Sequence, residues 1–161
     1  VKLLLIRHAD AGERDVQRWP DDRDRPITEK GERRQEKVAR RLRKLGLKPV
    51  LLLSSPWKRA WQTAEITCEV LGCHAPVASD TLADAPTLTR IANAIGTRGE
   101  DEVVALVGHE PWMSELASRL LTGQPNGVNI DYPKSGVMLL DIPSIKPGAG
   151  TLEFFLRPRE K

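Results

Sequence analysis

Leu3-Leu4-Leu5-Ile6-Arg7-His8-Ala9-Asp10 begins with a short apolar run that stops abruptly at an arginine and a histidine. Four apolar residues closed by polar ones read as a strand buried on both faces. In an open parallel sheet, ligands bind just beyond the carboxyl ends of the strands. That rule sets Arg7 and His8 at a binding rim, a fixed cation beside an imidazole. An imidazole can act as base, acid, nucleophile or metal ligand, and the arginine next to it points to an anionic substrate.

Two further strands end in the same way. Val50-Leu51-Leu52-Leu53 runs into Ser54-Ser55-Pro56-Trp57-Lys58-Arg59, and Val103-Val104-Ala105-Leu106-Val107 runs into Gly108-His109-Glu110-Pro111. Ser55 followed by Pro56 reads as a helix cap with proline at the first helical position, which sets Arg59 in the first turn. Ala60, Ala64, Cys68 and Leu71 then mark an inward helical face, closed by Gly72. If the three strands are parallel, Arg7, His8, Arg59 and His109 reach one rim.

The segments between these strands alternate in type. Asp10 to Arg25 is polar and reads as a loop over the rim with a short helical turn. Thr28 is the expected N-cap of the next helix, with Glu29 in its first turn to suit the dipole. Val38, Leu42 and Leu45 form its apolar stripe, and Gly46 ends it. Ala75 to Ala78 suggests a short strand, Leu82 to Pro86 a turn, and Leu88 to Ile95 a helix ended by Gly96. After His109, a helix with Trp112, Met113, Leu116, Ala117, Leu120 and Leu121 inward is expected. Gly123 to Pro133 reads as a loop. Val137 to Ile142 and Thr151 to Leu156 read as antiparallel strands around a Pro143 to Gly150 turn. Strands alternating with helices define the α/β class.

Composition narrows the function. A chain of 161 residues suits one domain, spanning 1–161, and 40% apolar with 29% charged residues suits a soluble globular protein. No stretch approaches the roughly 20 apolar residues needed to cross a bilayer, and the opening run is too short for a signal sequence. A cytoplasmic location without membrane contact is therefore expected. Two cysteines, Cys68 and Cys73, are too few for a disulfide framework or a four-ligand zinc site and read as free thiols. Of three histidines, His74 lies in a connection and reads as a surface residue.

Net charge is +3, and the excess is concentrated between Lys30 and Lys48. Such a run suits a solvated helix face, or a docking surface for an acidic protein. Nucleic acid is not expected, because one Tyr and two Phe offer little for base stacking.

Two arginines and two histidines around one point make an anion pocket. The arginine fork matches phosphate oxygens in bidentate fashion, and a helix N-terminus after Ser55 would add N–H groups. A phosphoryl group is the natural occupant. Neutral His8 can attack phosphorus to give a phosphohistidine that water later cleaves, while Arg7, Arg59 and a protonated His109 hold the charge. Alternatively, His8, Asp10, His109 and Glu110 bind a metal that activates water. Two fixed cations at the same rim oppose the metal, so the nucleophilic route is preferred, with no cofactor.

Leu5-Ile6-Arg7-His8-Ala9 resembles the Arg-His signature of the histidine phosphatase, or phosphoglycerate mutase-like, superfamily. Pro26-Ile27-Thr28-Glu29-Lys30-Gly31, Ser54 to Ala64 and Val107-Gly108-His109-Glu110-Pro111 resemble further parts of its pattern, in order, across about residues 1–120. The resemblance implies a three-layer α/β/α fold with a mostly parallel central sheet. It implies His8 as the phosphorylated nucleophile, with Arg7, Arg59 and His109 as its phosphate pocket.

Within the superfamily the chain is most similar to SixA-type phosphohistidine phosphatases. Ala9 stands where many members carry glycine, the chain is short, and the connection from Ala75 to Val103 is too brief for a substrate-enclosing insert. The expected substrate is a phosphohistidine-bearing protein of a signalling phosphorelay. A small phosphomonoester or a purely phosphoprotein-binding role is the alternative. Larger relatives protonate the leaving group with a carboxylic acid, for which Asp84 and Glu110 are the candidates here.

Overall fold

The computed structural model describes residues 1–159. Its centre is β1 (Lys2–Arg7), whose residues Leu3 to Ile6 are wholly buried. Strand β1 lies between β4 (Val103–Gly108), parallel to it, and β5 (Val137–Asp141), antiparallel to it. Beyond β4 come β2 (Leu51–Ser54) and β3 (Val77–Ala78), both parallel. Beyond β5 comes antiparallel β6 (Thr151–Leu156). The six-stranded order is β3-β2-β4-β1-β5-β6. Both edges are modest, a two-residue β3 and a β6 with a register shift near Leu139 and Leu140, which limits edge-to-edge pairing.

Alternation along β1 feeds two cores. Leu3 and Leu5 join Val104, Leu106, Met113, Leu116 and Leu120 on one face. Leu4 and Ile6 join Val38, Leu42, Ala60, Ala64 and Val107 on the other. Each such side chain contributes about 1.5–3 kcal/mol when fully buried. Helices α1 (Glu29–Lys44) and α2 (Lys58–Leu71) cover the second face, and α3 (Leu88–Ile95) and α4 (Trp112–Thr122) the first. The result is a three-layer α/β/α fold with a mostly parallel sheet, as the resemblance implied.

Local signals explain most element ends. Thr28 caps α1 by accepting the Gly31 N–H at 3.0 Å, a cap worth about 1 kcal/mol. Gly72 closes α2 with φ +68. Gly31 is required by a close approach, because a Cβ there would lie 2.2 Å from the Asp10 carbonyl oxygen.

Three expectations need correction. Ser55 and Pro56 do not start α2, which begins at Lys58 after Trp57 with no side-chain cap. Ser55 is still held by the sheet through its N–H to the Val107 carbonyl, and its hydroxyl accepts the Trp57 N–H at 3.3 Å. Leu45 does not extend the α1 stripe: it is 57% exposed, and the buried face consists of Gly31, Gln35, Val38, Ala39 and Leu42. The helix ends there, and Leu47 packs on that core instead. The strand expected over Ala75 to Ala78 shrinks to its last two residues.

Candidate active site

Register brings the rim together. Arg7 pairs with Gly108 across β1 and β4, and Ser54 pairs with Val107 across β2 and β4. The His8 N–H then donates to the Gly108 carbonyl at 3.0 Å, so His8 and His109 leave adjacent strands side by side. Their rings lie 5.3 Å apart. Gly108 is a second close approach, since a Cβ there would stand 2.1 Å from the Trp112 ring.

Each rim group is tied to the backbone. His8 Nδ1 lies 2.8 Å from the Ala9 carbonyl oxygen. A carbonyl can only accept, so this bond requires the proton on Nδ1 and leaves Nε2 with its lone pair. The Ala9 N–H donates to Thr63 Oγ1 at 2.9 Å, and the Thr63 hydroxyl donates to the Arg59 carbonyl at 2.7 Å. Thr63 thus links the peptide that orients His8 to the first turn of α2. Arg7 donates to the Tyr132 carbonyl at 2.7 Å, and the Tyr132 hydroxyl returns to the Leu5 carbonyl. Buried Ser135, with φ +62, donates its N–H to the Arg7 and His8 carbonyls at 3.2 Å.

Arg59 is held by the loop between β1 and α1. It donates to the Asp22 carbonyl at 2.7 Å and to Asp22 Oδ2 at 3.2 Å. Asp22 also accepts from Arg25 at 2.9 Å, and Arg25 donates to the Gly12 carbonyl at 2.7 Å. The expected helical turn in this loop is Asp22–Asp24. Trp57 packs between Arg59, 4.8 Å away, and the His109 ring, 5.1 Å away. His109 Nε2 lies 2.8 Å from Ser55 Oγ.

Both imidazoles are neutral at ordinary pH, which corrects the expectation of a protonated His109: burial disfavours its charged form. Burial lowers His8 to about 3, although its bond to Ala9 pulls the other way; the charges of Arg59 and Arg7 add to the lowering, as does His109 once protonated. Burial, with Arg59 and Arg7, lowers His109 to about 4. Burial also lowers both arginines from the usual guanidinium value, yet an arginine stays charged throughout the accessible range. Arg7 Nε, Arg59 Nε and His109 Nδ1 are buried without a hydrogen-bond partner among the described residues. Unpaired buried polar atoms of this kind are costly unless a ligand meets them.

The other candidates are engaged in local hydrogen bonds. Asp84 is exposed and accepts the Ala85 N–H at 2.8 Å. Glu110 is half-buried and accepts the Ser114 N–H at 2.7 Å in the first turn of α4, while its charge acts on Arg7. Asp10 is taken by Thr28 at 2.8 Å and Lys134 at 3.0 Å. Among the described residues no three His, Cys, Asp or Glu side chains form a metal-ligand group, so the donor set of the metal alternative is not assembled. His74 is exposed, and Cys68 and Cys73 are free with their sulfurs 3.1 Å apart. No described helix is long and apolar enough to cross a membrane.

Asp22, Ser55, Trp57, Thr63 and the Tyr132 carbonyl were not singled out from the sequence as parts of the rim. Only Thr63 had a readable signal, standing one helical turn beyond Arg59.

A mostly parallel sheet ending in a buried and a half-buried guanidinium group and two neutral imidazoles is the architecture of a phosphatase-type hydrolase. Comparison with known proteins gives the family. Residues 3–85 match the model of the histidine phosphatase superfamily (branch 1), and the chain belongs to that superfamily. The matched span includes Arg7, His8, Arg59 and Asp84; His109 and Glu110 lie beyond it.

The chain is 36% identical over 141 residues to an uncharacterized protein of Picosynechococcus, covering 86% of this chain and 83% of the other. Its fold is similar to a protein of Agrobacterium tumefaciens assigned as phosphohistidine phosphatase SixA, with TM-score 0.78, 26% identity and 98% of each chain covered. It is also similar to the protein histidine phosphatase SixA complexed with tungstate, with TM-score 0.81, 20% identity and 98% and 97% covered.

Proposed function

We propose that this protein removes the phosphoryl group from phosphohistidine on another protein, through a phosphorylated His8. The observation that carries the proposal is the bond from His8 Nδ1 to the Ala9 carbonyl, which leaves Nε2 as a buried, unprotonated nucleophile. The low His8 pKa keeps that lone pair available across the physiological range.

In the first step His8 Nε2 attacks phosphorus and the substrate N–P bond breaks. The substrate imidazole departs with the electron pair of that bond. It leaves neutral when its other ring nitrogen already carries a proton, so no protein acid is required. This suits a rim whose carboxylates are engaged elsewhere: Glu110 at a helix start and Asp84 in a local turn. Arg7 and Arg59 stabilise the equatorial oxygens, and His109 contributes a hydrogen bond to the same group. In the second step water attacks phosphorus, the His8 N–P bond breaks, and phosphate leaves with His8 restored. The reaction calls for no metal, because two fixed guanidinium charges already neutralise the transferring group. A cytoplasmic setting, where phosphohistidine relays operate, accords with two free thiols.

The test is phosphate release from a phosphohistidine-bearing protein and from a panel of phosphomonoesters, with and without EDTA, for wild type and His8→Ala. Release from phosphohistidine that survives EDTA and is lost in the variant is expected. Phosphomonoesters outrunning phosphohistidine by orders of magnitude would replace the substrate, and chelator-sensitive turnover would replace the mechanism.

A further inference from the structure

Two depressions beside the rim share a wall. The first, about 450 Å³, is lined by Arg7, Arg34, Lys134 and Arg157, with Asp10 as its one carboxylate. That carboxylate is already bonded to Lys134 and Thr28. The second, about 210 Å³, continues along α1 past Lys37, Arg41 and Lys44 and carries no carboxylate. Arg34 and Pro158 line both, so the two make one trough leading away from Arg7.

Its charge is only partly compensated: Arg157 pairs with Asp131 at 3.3 Å and Arg40 with Glu36 at 4.0 Å. Among the described residues Arg34, Lys37 and Lys44 form no ion pair, and Arg41 donates to the Arg157 carbonyl instead of a carboxylate. Burial and the neighbouring Arg159 charge lower the Arg41 pKa, which reflects cations crowded together. Across the rim, by contrast, a depression bordered by Asp21, Arg23, Asp24, Lys58 and Asp80 mixes both signs. Of these depressions, the trough carries the greater excess of cations.

We propose that this trough docks an acidic surface of the substrate protein and so presents its phosphohistidine to His8. The inference rests on the phosphatase reading above and specifies the substrate face. From Arg34 to Lys44 the helix alone extends on the order of 15 Å. A small phosphomonoester at Arg7 leaves that length uncovered, whereas a protein face covers it. Nucleic acid is the poorer fit, because the apolar part of the trough is Val38 and Pro158 with no aromatic platform for bases. An excess of this kind accelerates and orients encounter with an oppositely charged partner.

The test compares wild type with the triple variants R34E/K37E/K44E and R34Q/K37Q/K44Q, whose folding is checked by thermal melting. Two probes are used: free phosphohistidine, and an acidic histidine-phosphotransfer protein phosphorylated with phosphoramidate. Charge reversal is expected to lower kcat/KM on the protein at least tenfold, mainly through KM, with the glutamine variant intermediate. Turnover of free phosphohistidine should stay within about twofold, and the steep salt dependence of the wild type on the protein should flatten. Equal loss on both probes, or none on the protein, would overturn the trough. If wild type hydrolyses neither probe, the phosphatase reading fails. The trough is then judged by direct binding of the same phosphoprotein, where a tenfold loss in the reversed variant supports it and unchanged affinity overturns it. Single-stranded RNA that competes for the trough better than an acidic peptide would also overturn it.

Discussion

Helix α2 carries reactive residue types at both ends, in very different circumstances. At its N-terminal end Arg59 lies buried among His8, His109 and Trp57, with hydrogen bonds fixing Arg59 and one nitrogen of each imidazole. At its C-terminal end Cys68, Cys73 and His74 gather two thiols and an imidazole, with His74 exposed and hydrogen-bonded to nothing among the described residues. Among the described residues the thiols form hydrogen bonds only with each other and the Cys68 carbonyl, and they pack on the core. Residue chemistry is comparable at the two ends, whereas positioning is not. What distinguishes the rim is that backbone carbonyls and hydroxyls from separate segments fix the orientation of its side chains and the tautomer of His8.

The comparison is broken most severely at His8. His8→Asn should lower kcat/KM by about 10⁴-fold or more while the thermal midpoint changes little, as steady-state kinetics and melting will show. Next come the two glycines. Gly108→Ala drives a methyl into the Trp112 ring and should cost about 3 kcal/mol, whereas Gly72→Ala meets open space and costs about 1 kcal/mol for its left-handed backbone. Denaturant melts of the two variants measure the difference, and equal losses would refute the account of Gly108.

Acid should act on the rim through His8 and His109. His8 and His109 stay neutral in the folded protein down to about pH 3 and 4, while in the unfolded chain each binds a proton from its ordinary value of 6.5. The unfolded state therefore holds more protons as pH falls through 6.5. Stability present above that value is lost progressively toward pH 4, by about 2 kcal/mol per histidine between pH 7 and 5. Between pH 7 and 5 the wild type should therefore lose about 4 kcal/mol more than H8N/H109N in melts, and parallel losses would show the imidazoles to be freely solvated.

Thr63→Val removes the acceptor of the Ala9 N–H and should cost about 1–2 kcal/mol. A positioning role predicts in addition a fall of about tenfold in kcat with KM nearly unchanged, which a merely structural defect would not give. Smallest of all, His74→Ala should leave activity unchanged and stability within about 0.5 kcal/mol. Any larger effect would mean that the second end of α2 is more than a surface.

Much of this was legible in the sequence. The buried strands and the polar residues that end them are local patterns, so Arg7, His8, Arg59 and His109 could be sent to one rim before any contact was known. Thr28 and Gly72 announce helix ends by equally local chemistry. Ser55 misled because serine before proline at a helix start is also a local pattern, while the bond that holds it to β4 is not. Leu45 misled because periodicity continues past the point where a helix ends. The anchors of the rim were least legible. Asp22 and Thr63 act across long sequence separations, and Tyr132 acts through a carbonyl that every residue possesses. Asp84 and Glu110 drew notice as carboxylates, and their bonds to Ala85 and Ser114 depend on backbone geometry that composition does not reveal.

The strand order has a consequence for how the protein is made. Lys2 pairs with Val103 on one side and Asp141 on the other, so β1 can find neither sheet neighbour until most of the chain has left the ribosome. During that interval Leu3 to Ile6, the most apolar strand end of the rim, has no native partner to cover it. Non-local pairing of this kind slows folding and exposes a nascent chain to aggregation. The arrangement that gathers three distant segments around His8 therefore also leaves β1 without a sheet partner until β4 and β5 arrive.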